Sequence, residues 1–236
     1  MLTAKRSVAK KGVGEEASGP TRERVYMFVC EQILKGHFAG GSFIEEEQIS
    51  SAIKVSRTPV REAFHRLEAE KFIDLLPRRG ALVRQVTASE LTDVYESRRV
   101  IEGYSIARIC QEQLPAPAEM TELLKRMQKL CQTNNHYEHV LADCMFHRAM
   151  VAACGNAVLA ETYDSLRSRQ LRVAMKALTV DPGRIQRIFS EHQELLESLT
   201  AHDEARARSI IDQHLRPVLE VVSRLPGFSF HPAGED

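Results

Sequence analysis

A proline in the opening turn of a strongly amphipathic run sets the frame for the N-terminal third of this chain. The run is VSRTPVREAFHRLEAEKF, beginning at residue 55. Pro59 lacks an N–H and has a locked φ, so it is barred from a helix interior but suits a first turn. A helix is therefore expected to start there, with Ser56 or Thr58 as its cap. Val60, Ala63, Phe64 and Leu67 form one apolar stripe along it. Arg57 and Arg61 stand beside that stripe, one turn apart, at the positive end of the helix. Such an arrangement attracts an anion.

Two shorter helical patterns precede this one. Val25, Phe28, Val29 and Ile33 recur at helical spacing from near Thr21 until Gly36. Glu45 to Ala52 makes the second, with Ile49 and Ile53 turned inward. After Lys71 the period becomes extended, and FIDLL and ALVRQV read as two short strands about a PRRG turn. Three helices and a hairpin outline a winged helix-turn-helix over residues 21–86, with Arg78 and Arg79 at the wing tip. From Ala88 onward the patterns are helical, over roughly 88–112, 116–134, 137–154, 157–179, 183–201 and 203–224. Residues 87–225 thus form a second domain, and its short breaks make neighbouring helices antiparallel. The expected fold class is mainly α: an N-terminal winged helix-turn-helix followed by an all-α helical bundle. Residues 1–20 read as a flexible, mildly basic tail without the apolar centre of a signal peptide. Residues 226–236 read as a loose C-terminal tail.

Charge narrows the function. The chain carries 32 basic and 32 acidic side chains in 236 residues, which argues against a globally basic nucleic-acid coat protein. A local patch is a different matter. Arg57, Arg61, Arg78, Arg79 and Arg84 cluster on one face of the expected fold. Arginine forks match phosphate oxygens and the guanine edge in the major groove. Five cysteines, an odd number without CxxC spacing, read as reduced thiols in a cytoplasmic protein. No apolar run reaches membrane-spanning length.

A second constellation lies in the helical domain. In DCMFH, Asp143 and His147 are four residues apart and share a helix face. His192 and His214 sit in apolar repeats on two further helices. A core-facing imidazole needs a partner. Spacing leaves two readings open: separate, satisfied structural histidines, or one carboxylate and three imidazoles around a divalent transition metal. Zinc comes first for such a donor set, with nickel, manganese and iron also compatible. His37, His136, His139, His202 and His231 read as structural or surface residues.

The stretch VSRTPVREAFHRLEAEKFIDLLPRRGALV resembles the N-terminal domain of GntR-type bacterial transcription regulators, over about residues 21–86. The resemblance implies Ser56, Arg57, Thr58 and Arg61 as recognition-helix contacts, and a DNA-touching wing turn containing Arg78, Arg79 and Gly80. Lys54 stands where the family usually has glycine. Glu47 stands where some members carry a DNA-contacting arginine, so no role is carried over there. DCMFHRAMVAACGN and SEHQELLESLTAHDEARARSIIDQHL resemble the ligand-binding domain of the FadR subfamily, over about residues 88–222. That likeness implies Asp143, His147, His192 and His214 as the metal site. Within ESRRVIEGYSIA it places Arg98 at an effector carboxylate; the alternative is a surface Arg98 bonded to Glu102. The expected function is a homodimeric transcription repressor. Its partners are double-stranded operator DNA and a small organic acid effector bound at the metal. A metalloenzyme would need a separate general base, which the sequence does not offer.

Overall fold

The computed structural model describes residues 21–228, so residues 1–20 and 229–236, expected to be tails, lie outside the described residues. The head comprises α1 (Thr21–Leu34), β1 (Phe43–Ile44), α2 (Glu46–Ile53), α3 (Arg57–Ala69), β2 (Ile73–Leu76) and β3 (Gly80–Val83). The α3 stripe of Val60, Ala63, Phe64 and Leu67 is buried with Val25 and Val29 of α1. Ser56 occupies the N-cap position of α3 but makes no capping bond. Pro59 in the first turn fixes the start instead.

The sheet has three antiparallel strands in the order β1-β3-β2. β1 is only two residues long, too short to register as an alternating pattern. It pairs Phe43 with Leu82 and Ile44 with Ala81. Gly80 has φ +84°, and a Cβ there would lie 2.8 Å from the Ile44 carbonyl oxygen. This glycine therefore lets β1 close against the wing. Lys54 ends α2 in the left-handed conformation (φ 55°, ψ 52°). Glycine adopts that conformation without strain, so the substitution keeps the turn at a conformational cost.

The bundle comprises α4 (Ala88–Gln111), α5 (Ala118–Leu130), α6 (His136–Ala153), α7 (Ala157–Ser165), α8 (Arg167–Val180), α9 (Arg184–Thr200), α10 (Glu204–His214) and α11 (Leu219–Val222). α6 is central, packing on α4, α5, α7 and α8. Its Tyr137, Val140 and Cys144 join Leu171, Met175 and Leu178 of α8 in one apolar cluster with the head.

Three sequence expectations need correction. The pattern over 157–179 is interrupted at Leu166, so α7 and α8 are separate helices. No proline or glycine marks that break. The pattern over 203–224 stops at His214, because Pro217 has no N–H and biases its predecessor away from helix. Residues 226–228 are tied down rather than loose. The Ala88 N–H donates to the Pro226 carbonyl at 3.0 Å, and Phe228 packs on the bundle core. All five cysteines are free thiols, four buried and Cys131 half-buried. Among the described residues, no helix is long and apolar enough to cross a membrane.

Candidate metal centre and nucleic-acid face

α6 carries Asp143 and His147 one turn apart on its inner face, α9 brings His192 and α10 brings His214. All four are buried, and one ligand atom from each lies within 4.8 Å of the others. The imidazole centroids form a near-equilateral triangle with sides of 4.8, 4.9 and 4.9 Å. His192 Nε2 lies 2.8 Å from His147 Nε2 and 3.2 Å from Asp143 Oδ1. Two such donors bound to one ion at about 2.0–2.2 Å lie at most about 4.4 Å apart, close to this spread of 4.8 Å. The donor set and its convergence fit a divalent transition ion.

Carboxylates back two of the imidazoles. Glu191 Oε2 lies 2.8 Å from His214 Nδ1 in a hydrogen bond. Glu102 Oε2 is also 2.8 Å from His147 Nδ1, but out of line for a hydrogen bond. Glu102 is itself held by Arg98 Nε at 2.7 Å and by the Tyr163 hydroxyl at 2.6 Å. Carboxylates behind imidazoles orient the rings and favour the tautomer that turns Nε2 toward an ion.

Electrostatics set the protonation states a metal needs. Burial pushes the Asp143 carboxyl up, but His192, His147, His214 and Arg98 together outweigh it and hold it well below its usual range. Burial, aided by His147, pushes the His214 imidazole down to about 3. Burial also drives His192 well below its ordinary value, against the pull of Asp143. An ionised carboxylate beside the neutral imidazoles of His192 and His214 is the ligand state of these groups.

Arg98 is indeed bonded to Glu102 one turn away, yet it lies in the core, only 4% exposed, and not at the surface. Its Nη2 has no protein partner. Arg98 lines a cavity of about 30 Å³ with Tyr95, His139, Asp143, Arg184 and His214. Ala174, Ala177 and Leu178 of α8 close another wall. Sequence reasoning misses Tyr95 and Arg184 and sets His139 aside. A signal for His139 exists: it precedes Asp143 by one turn on the same helix. Arg184 follows a DPG break and donates to the His214 carbonyl at 3.0 Å, a pairing with no local signature. A larger cleft of about 760 Å³ between head and bundle, lined by Tyr26, Arg66, Tyr137 and Arg148 among others, contains none of the four ligand candidates.

On the head, Ser56, Arg57, Thr58, Arg61, Arg78 and Arg79 are all exposed. Arg57 pairs with Glu47, and Arg61 Nε is shared between the Glu46 oxygens at 2.8 and 2.9 Å. The acidic first turn of α2 thus holds the arginines at the start of α3. Exposed pairs of this kind are weak and readily exchanged for another anion. At the wing tip Arg78 has φ +63°, and the Arg79 guanidinium rests 4.9 Å from the Phe43 ring centroid. Arg84 is tied back to Asp74 at 2.8 Å. Gly80 is half-buried and serves the β1 contact described above.

Comparison with known proteins gives matches across the chain. The family model described as bacterial regulatory proteins, gntR family, matches residues 21–83, and that of the FCD domain matches residues 93–217. The gluconate operon transcriptional repressor of Bacillus subtilis is 24% identical over 213 residues, covering 87% of this chain and 86% of the relative. The Nta operon transcriptional regulator of Aminobacter aminovorans is 29% identical over 191 residues, covering 79% and 89%. Among solved structures, a GntR transcriptional regulator from Rhodococcus sp. RHA1 superposes with a TM-score of 0.69 at 23% identity, covering 82% of this chain and 93% of that one. E. coli McbR/YncC gives 0.67 at 20% identity, covering 84% and 94%. These structural likenesses speak to the shared fold.

Proposed function

The chain belongs to the GntR family of bacterial regulatory proteins and carries an FCD domain, and from that premise we propose that a small carboxylate at the Asp143–His147–His192–His214 cluster sets its affinity for operator DNA. The protein is a DNA-binding transcription regulator; its family and named relatives are regulators, not enzymes, and several relatives are repressors. Repression relieved by the effector is the direction we assign. The reading is carried by one observation: the unpartnered Arg98 Nη2 belongs to a residue that shares a small cavity with Asp143 and His214. A divalent ion, zinc first among the candidates, would supply positive charge and exchangeable coordination positions for an anionic ligand. Asp143 and the three histidines would hold it, while Arg98 orients the ligand carboxylate through its spare donor. One relative is named for a gluconate operon, and gluconate is a carboxylate.

A cavity of about 30 Å³ has room for about one water. An organic acid therefore enters only if the walls move, and this links its binding to conformation. It shifts operator affinity only so far as it binds the two arrangements unequally. Arg57, Thr58 and Arg61 contact the operator from α3, Ser56 from its N-cap position, and Arg78 and Arg79 from the wing. Two copies of the chain place two such heads on a near-palindromic operator, about one DNA turn apart.

The test is elemental analysis and native mass spectrometry of the purified full chain, followed by operator titrations with metal alone and with metal plus candidate acids. A bound metal and an acid-dependent change in affinity are expected. A response to metal alone would make the ion itself the signal and sink the effector reading. Two further results are expected. Operator affinity drops steeply as salt rises from 50 to 200 mM, by roughly 10³-fold or more, as phosphate neutralisation releases counterions; a flat salt profile contradicts a phosphate-dominated complex. Arg98→Ala weakens acid binding by roughly tenfold or more with metal retained, the loss of a charge-assisted bond; unchanged acid affinity by calorimetry removes Arg98 from the site.

A further inference from the structure

Arg172 belongs neither to the metal cluster nor to the DNA-facing surface, yet its guanidinium is buried at the junction of head and bundle, 4% exposed. It projects from α8. Nη1 donates to the Lys71 carbonyl at 2.7 Å and to Glu90 Oε1 at 3.0 Å. Nη2 donates to Glu90 Oε2 at 3.1 Å and reaches the Gln85 carbonyl at 3.4 Å. Lys71 follows the end of α3, Gln85 follows β3, and Glu90 lies in the first turn of α4. One side chain therefore gathers the end of the recognition helix, the end of the wing and the start of the bundle. A buried charge is sustained only by such pairing, and the two-pronged bond to Glu90 fixes its direction as well as its charge.

The same helix forms a wall of the metal-side cavity. Ala174, Ala177 and Leu178 line it, and Met175 packs in the apolar cluster shared with the head. Arg172 and Leu178 are separated by about 9 Å of continuous helix, less than two turns. The cavity wall and the clamp on the head are thus parts of one short rigid element.

We propose that Arg172 is the positioning residue by which α8 fixes the DNA-binding head on the bundle, so that displacement of the α8 cavity wall loosens the head. The link to an effector rests on the function proposed above; the clamp itself does not. When the cavity fills, α8 moves outward, the guanidinium leaves the Lys71 and Gln85 carbonyls, and the head loses its set orientation. The segment to watch is 84–90. It carries the Arg84 N–H, bonded to the Phe72 carbonyl, and the Ala88 N–H, bonded to the Pro226 carbonyl, each at 3.0 Å.

Hydrogen exchange of the full chain, read by mass spectrometry without added ligand, tests this. Arg172→Met is expected to speed exchange at 84–90 by roughly tenfold or more, as hydrogen bonds to a charged group are lost, while α6 stays protected. Arg172→Lys should fall between, since an ammonium keeps the charge but not the fork. Ala177→Leu, which fills the cavity and leaves Arg172 in place, should loosen the same segment. Unchanged exchange at 84–90 in Arg172→Met overturns the clamp. Faster exchange throughout α6 as well, in both Arg172 variants, reduces Arg172 to a general support of the fold and overturns its positioning role. A loosened junction in Arg172→Met with wild-type behaviour in Ala177→Leu overturns the connection to the cavity. Metal-free or acid-insensitive protein would defeat the proposed function but leave the Arg172→Met result as stated, so the two failures are distinguishable.

Discussion

His192→Ala is expected to leave the purified protein nearly free of metal and deaf to the acid effector. His192 is the meeting point of the cluster, with its Nε2 closest to both His147 and Asp143. Its removal deletes a neutral donor and leaves Asp143 buried with one fewer stabilising imidazole. Changes behind the ligands already cost 10–100-fold in metal affinity in comparable sites, so loss of a ligand should cost roughly 100-fold or more. Binding to the native state also stabilises it by mass action. Chelation should therefore lower the wild-type melting temperature and leave that of the variant unmoved. Full metal occupancy in the variant, measured by elemental analysis, would exclude His192 as a ligand.

Arg61→Ala should weaken specific operator binding by roughly 10–100-fold, the range for one well-placed contact to a base edge. Its side chain is 62% exposed, so the fold should be unaffected. The same geometry yields an internal control. Arg61 rests on Glu46 in the free protein, and that pair must open before the guanidinium meets DNA. Glu46→Gln should therefore leave operator affinity equal or higher, while Arg61→Ala lowers it. Fluorescence anisotropy with a labelled operator separates the two. Wild-type affinity in Arg61→Ala would take this residue out of the interface.

Much of the head is legible in the amino-acid sequence. Pro59 and the Val60–Leu67 stripe mark α3, and the change of period after Lys71 marks the hairpin. Pro217 is a visible stop that the helical period beyond it obscures. The interruption at Leu166 has no comparable sign, because both α7 and α8 are helical in period. β1 is invisible for the opposite reason: two residues cannot display an alternation. Gly80 is legible only as part of a wing turn, and its contact with the Ile44 carbonyl depends on that hidden strand.

Local chemistry acts within about a turn of chain, and what it governs was written in the sequence alone: helix starts, apolar faces, the hairpin turn and the pairing of Asp143 with His147 on one face. The meeting of His147 with His192, 45 positions apart, was decided by the tertiary structure. So were the burial of Arg98 and the clamp of Arg172 on the Lys71 and Gln85 carbonyls, 101 and 87 positions away. Apolar faces choose their neighbours by packing in three dimensions, and polar groups carried inward must then find partners wherever that packing leaves them.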